Sequence, residues 1–208
     1  MVIRSKKELS FYLKADRMMN RGVFVFSLKD RIKNMFLPDD IISYLSYMRK
    51  VSYYKYKGNK VLYIWYLRKY ILKGRKLGFS IGEDSLGYGA VLPHIGTIIV
   101  GDSPRIGNYA VLHTSTCISN NKKVIGDGLY LSTGSIITSE IVLGNNIMVG
   151  ANSLVNKSYT DDNALIAGMP ARFIKEKEPW YMCDSGKFTM RYEKVENLKK
   201  EMQLSSLY

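Results

Sequence analysis

Only two cysteines, Cys117 and Cys183, occur in this 208-residue chain, and only two histidines, His94 and His113. The cysteines lie far apart and outside any CxxC spacing, so neither a disulfide framework nor a metal site is expected. No apolar run approaches the roughly 20 residues that a membrane-spanning helix needs. The first residues, MVIRSKKELSFYLKADR, lack the apolar centre of a secretory signal. A cytoplasmic location is the resulting expectation. Acidic residues are scarce in one part only: residues 1–77 hold 5 Asp or Glu against 19 Lys or Arg, while residues 78–208 hold 13 against 12. The net charge of +13 therefore belongs to the first part. Nine of the 16 tyrosines also lie there, several of them in YYKYKGNKVLYIWYLRKY. Basic residues interleaved with aromatics suit a solvated helical face, anionic lipid or a polyphosphate ligand. No nucleic-acid-binding motif accompanies them, and no nucleic-acid partner is expected.

With 46% hydrophobic residues, the chain can bury a substantial core. Local signals make residues 1–77 a basic, Tyr-rich helical domain. Ser5-Lys6-Lys7-Glu8 is a capping box, which predicts a helix over about residues 6–19. Pro38 before Asp39 and Asp40 marks a second start, read with the proline in the first turn. Ile41, Ile42, Leu45, Met48 and Val51 follow at helical spacing, and Gly58-Asn59 separates them from a third helix over about 61–73. Residues 176–208 form an extension from which a short amphipathic helix is expected.

Between these parts the period changes. Leu86, Leu92 and Ile98, then Ile106, Leu112 and Ile118, then Ile125, Leu131, Ile137, Leu143, Val149 and Val155 recur at steps of six, with one shift of eight after Ile98 and one of seven after Ile118. A period of six fits neither helix nor alternating strand and predicts a parallel β-helix of about four triangular coils. Gly87, Gly107, Gly126, Gly144 and Gly150 follow an aliphatic and are expected to supply positive-φ corners. The fold class expected is mainly β: a β-helix over residues 78–175 whose open ends are capped by the N-terminal helices and the tail.

The stretch GFSIGEDSLGYGAVLPHIGTIIVGDSPRIGNYAVL, with VIGDGLYLSTGSIITSEIVLGNNIMVGANSLVNKS and IAGMPARFI, resembles the bacterial serine O-acetyltransferase group of hexapeptide-repeat acyltransferases. Closest in type are the enzymes that acetylate capsular and surface polysaccharides. The resemblance implies a left-handed β-helix, a homotrimer and acetyl-CoA as cosubstrate, with no metal. His94 matches the catalytic base, and a neutral imidazole suits that task near pH 7. His113 is a secondary candidate. Thr133, Gly134, Ser135, Gly150 and Ala151 match positions whose backbone lines the pantetheine arm. Ala167, Gly168, Pro170, Arg172 and Lys175 match the segment after the last coil, the two cations being available for phosphates.

Departures from the pattern bear on the acceptor. Pro93 replaces an aspartate just before the catalytic histidine, and Ser80 stands where a second carboxylate would orient the imidazole. Glu83, Asp84 and Asp102 are the alternative partners. A loop that carries an Arg-His pair in the family is reduced to SNNKKV, residues 119–124, with Lys122 and Lys123 as its cations. A neutral sugar hydroxyl is therefore ranked first as acceptor, serine of cysteine biosynthesis second and a noncatalytic scaffold third. For a lipid-linked acceptor, residues 1–77 are expected to rest on the inner membrane surface.

Overall fold

The computed structural model describes residues 1–183 and 186–204, so the last four positions of the extension lie outside it. Capping decides where the helices begin. The Ser5 hydroxyl accepts from the Glu8 amide, and the Glu8 carboxylate accepts from the Arg4 amide, starting α1 (Lys6–Arg21). Gly22 in a left-handed conformation ends it. A second helix, α2 (Leu28–Phe36), has its own capping box from Ser27 and Asp30. Asp39 caps α3 (Asp40–Tyr56), so Pro38 stands outside the helix and not in its first turn. Asn59 caps α4 (Lys60–Leu77), which runs four residues past the expected end until Gly78 turns left-handed.

From Phe79 the chain winds as a triangular prism. Its first face stacks Phe79–Ile81, Ile98–Val100, Thr116–Ile118, Ile136–Ile137 and Leu154–Val155 in parallel. The second stacks Arg105–Ile106, Lys123–Ile125 and Ile141–Leu143, extended by single bridges to Leu86 and Tyr159. The third stacks Val111–Leu112, Tyr130–Leu131, Met148–Val149 and Ala164–Gly168, and the antiparallel strand Ala171–Glu176 ends it. Five turns result, one more than expected, because Phe79–Ile81 and Ala164–Gly168 add strands beyond the twelve periodic aliphatics. Those twelve residues are all buried, none more than 3% exposed.

Two corrections concern the corners. Val100, not Ile98, ranks with Ile81 and Ile118, whereas Ile98 ranks with Phe79 and Thr116. The long step therefore lies between Leu92 and Val100 and is taken up by residues 93–97, the loop that carries His94. Gly87, Gly107, Gly126, Gly144 and Gly150 do not take positive φ. Glycine is needed there for clearance: a Cβ on Gly126 would meet Asn145 Oδ1 at 2.6 Å and the Gly144 oxygen at 2.7 Å in the next coil. Alongside runs a polar ladder, in which the Asn108, Asp127 and Asn145 amides each donate to the side chain one coil on.

The helices close the first end. Arg49, 1% exposed, forks onto Asp16 at 2.8 and 3.1 Å and donates to the Leu86 and Gly87 carbonyls at 2.7 and 2.6 Å. Asp16 in turn accepts from the Ala90 amide. Leu45, Met48 and Val51 of α3 join the prism's own core. The tail does not cap the other end. It folds back over the third face, where α5 (Lys187–Glu201) and α1 form a second core with Tyr88, Val91, Tyr109, Val111 and Trp180.

Candidate active site

With the third face covered by α1 and α5, the edge between the third and first faces stays accessible as a seam, as does the edge between the first and second. Each coil turns there through a short loop, and the loops hydrogen-bond in register: Ser115 N to Thr97 O, Gly134 N to Thr114 O, Asn152 N to Thr133 O. Gly96, Ser115, Gly134 and Asn152 hold positive φ on this edge, as Gly89, Tyr109, Gly128 and Asn146 do on the edge between the second and third faces.

Both histidines are on this seam, one coil apart. His94 is exposed, and no hydrogen bond reaches its ring among the described residues. His113 is half-buried, and its Nε2 lies 2.8 Å from the Tyr130 hydroxyl. The two imidazoles face each other with centroids 6.3 Å apart at 45°. Burial, and secondarily the charge of His94, hold the His113 imidazolium below its ordinary value. Burial also raises the Tyr130 phenol, so Tyr130 keeps its proton at neutral pH. Tyr130 was not anticipated from the sequence. It reaches His113 only because Val111 and Tyr130 are paired across two coils. Trp180, also unanticipated, packs near Tyr130 at 6.3 Å and donates to the Tyr109 carbonyl.

Thr133, Gly134, Gly150, Ala151, Ala167 and Gly168 continue the same seam below the histidines. Thr133, Ala151 and Gly168 are exposed. Pro170, in a cis peptide, and the exposed Arg172 and Lys175 follow on the terminal hairpin. Neither cation pairs with a carboxylate among the described residues. Ser135 lies on the same loop with its side chain buried; its amide donates to Ser132 and its carbonyl accepts from Cys117.

The carboxylates offered as partners lie elsewhere. Glu83, Asp84 and Asp102 occupy the edge between the first and second faces, because they follow first-face strands, whereas His94 precedes one. Two of them are engaged there: Lys55 binds Glu83 at 2.6 Å, and the Ser52 hydroxyl donates to Asp84 at 2.6 Å. Burial works to raise the Glu83 carboxyl, but its bond to Lys55 holds it below the usual range. Ser80 faces outward on the first face beside Ile99. Lys123 is also committed, donating to the Ser119 carbonyl and hydroxyl at 2.9 Å, so Lys122 is the exposed cation of that loop. Next to the His94 loop, Ile95 and the ends of α1, α2 and α3 line an open cleft of about 470 Å³ with Arg21, Asp30, Asn34 and Asp39 on its walls.

No family model matches the chain. Among curated relatives, the bifunctional protein GlmU of Bifidobacterium longum subsp. infantis is 28% identical over 102 residues, 42% of this chain and 22% of that protein. Serine acetyltransferase 4 of Arabidopsis thaliana is 32% identical over 104 residues, 45% and 29%. The chain thus spans less than a third of the length of these relatives. Among solved structures, a hexapeptide-repeat serine O-acetyltransferase from Brucella melitensis superposes with a TM-score of 0.60 at 20% identity, over 81% of this chain and 69% of the other. A serine acetyltransferase in complex with CoA gives 0.55 at 22% identity, over 80% and 67%. The prism is the left-handed β-helix of these hexapeptide-repeat proteins, with helices at its N-terminal end.

Proposed function

We propose that the chain is an acetyl-CoA-dependent O-acetyltransferase in which His94 is the general base. The observation that carries this reading is the seam: one exposed imidazole at its head, with the positions matched to the pantetheine arm and the two unpaired cations below it. A neutral His94 takes the proton of an acceptor hydroxyl as its oxygen attacks the thioester carbonyl. Collapse of the tetrahedral intermediate breaks the C–S bond, and the imidazolium returns the proton to the departing CoA sulfur. His113, held by Tyr130, lies near enough to bind the acceptor. Arg172 and Lys175 suit the CoA phosphates. The seam is open on one side, and a threefold homotrimer would close it with a neighbouring subunit.

For the acceptor, the comparisons favour serine, which the sequence alone placed behind a sugar hydroxyl. Relatives and neighbours include serine acetyltransferases. A saccharide hydroxyl is the second reading. It rests on Pro93, which offers no carboxylate to an amino group, and on Lys123, which is tied within its own loop and cannot grip a carboxylate. Thiol release from acetyl-CoA, measured with L-serine and with a panel of saccharides and nucleotide sugars, separates the two. Activity in His94→Ala equal to the parent chain would overturn the catalytic reading.

A further inference from the structure

Helix α4 has one side with no partner in the fold. Val61, Ile64, Trp65, Arg68, Ile71, Leu72 and Arg75 recur at steps of three and four and are all exposed. Val61 is 77% exposed, Ile64 63% and Leu72 51%. The opposite side is occupied: Tyr70, Gly74 and Leu77 are buried, and Tyr66 and Leu67 pack against the core. An apolar stripe of this length, about 27 Å for 18 residues, is not an ordinary solvated face.

Its charge says what would cover it. Residues 60–77 contain six Lys or Arg and no Asp or Glu. Lys73 and Lys76 share the one Asp40 carboxylate at 2.7 and 2.8 Å. Lys60, Arg68, Lys69 and Arg75 have no carboxylate partner among the described residues. The Lys69 ammonium sits 3.5 Å from the centre of the Trp65 ring, so cation and indole present themselves together. A second copy docked through a two-fold axis would bring this same cationic patch against itself. An anionic bilayer satisfies both halves of the pattern: the aliphatics and the indole enter the headgroup boundary, and the unpaired cations meet lipid phosphates. The helix lies on such a surface and does not cross it, since no helix among the described residues is long and apolar enough to span a membrane.

We infer that the outward stripe of α4 docks the chain on an anionic lipid bilayer. This inference is independent of the acetyltransferase reading. Cosedimentation of the full chain with vesicles of phosphatidylcholine alone, and with vesicles containing phosphatidylglycerol, is expected to show binding to the second only. Arg68→Gln/Arg75→Gln should weaken that binding about thirtyfold, with two interfacial charges lost. Ile64→Gln/Leu72→Gln should weaken it at least as much, while circular dichroism stays unchanged because both side chains are exposed. Absence of binding to either vesicle, or parental binding by both variants, overturns the inference. So does a fall in the oligomeric mass of lipid-free Ile64→Gln/Leu72→Gln by analytical ultracentrifugation, which would mean that another copy covers the stripe.

Discussion

His94 and His113 stand one coil apart with ring centres 6.3 Å from each other, yet among the described residues only His113 is fastened, through Tyr130. On the proposed reading, the free ring moves a proton between two substrates and the fastened ring holds one of them.

His94→Ala is therefore expected to lower kcat for acetyl transfer by about a hundredfold or more, the usual worth of a general base. His113→Ala should act mainly on the KM for the acceptor. Thiol release from acetyl-CoA at varied acceptor concentration measures both, and gel filtration checks that neither variant has lost its fold.

The lowered pKa of His113 has a consequence for stability. An imidazole that titrates lower when folded than when unfolded leaves the unfolded chain binding more protons, so stability rises with pH in that interval. Its contribution is complete above the ordinary value of 6.5 and is lost as the pH falls from there toward the native value. Urea midpoints measured between pH 7.5 and 5 should fall more in the parent chain than in His113→Gln. NMR titration of the ring should give a midpoint below 6.5.

Arg49→Met should destabilise the chain by about 3–5 kcal/mol, because it leaves the Asp16 carboxylate buried without its counter-ion. Adding Asp16→Leu should recover only part of this. The Leu86 and Gly87 carbonyls lose the same guanidinium, and Ala90 loses its acceptor. Equilibrium urea unfolding of the two variants measures the difference.

Gly126→Ala tests the clearance argument. The added methyl meets Asn145 and the Gly144 carbonyl within 2.7 Å, so a cost of roughly 1–3 kcal/mol is expected even though the backbone there is unstrained. Gly58→Ala, with open space around it but φ at +67°, should cost about 1 kcal/mol by the opposite mechanism. Thermal melts of the pair rank the two effects.

The prism was legible because burial repeats every sixth residue, and the twelve aliphatics carry that period in their chemistry alone. What the period could not convey was where a coil is stretched: Ile98 and Val100 are both aliphatic and both inward, so the step of eight was assigned one strand too late. The glycines are visible in the sequence, but it shows only a missing side chain and not whether conformation or a neighbouring coil demands it. Helix α2 does carry its signal in the sequence, a capping box at Ser27 and Asp30 and Leu28, Ile32, Met35 and Phe36 at helical spacing, although those four residues are exposed in the fold. At the site, motif and register together placed His94 on the seam. Tyr130 and Trp180 could not be placed so, because Tyr130 reaches His113 through strand pairing and Trp180 reaches Tyr130 through the returning tail.

The reactive seam begins at the single loop where the six-residue beat is stretched by two. Lengthening the tower by duplicating any of its later storeys would leave that interruption uncopied. Such a protein could grow taller, and gain groove, while still owning one His94 loop per chain; the number of those loops would then change only with the number of chains that assemble.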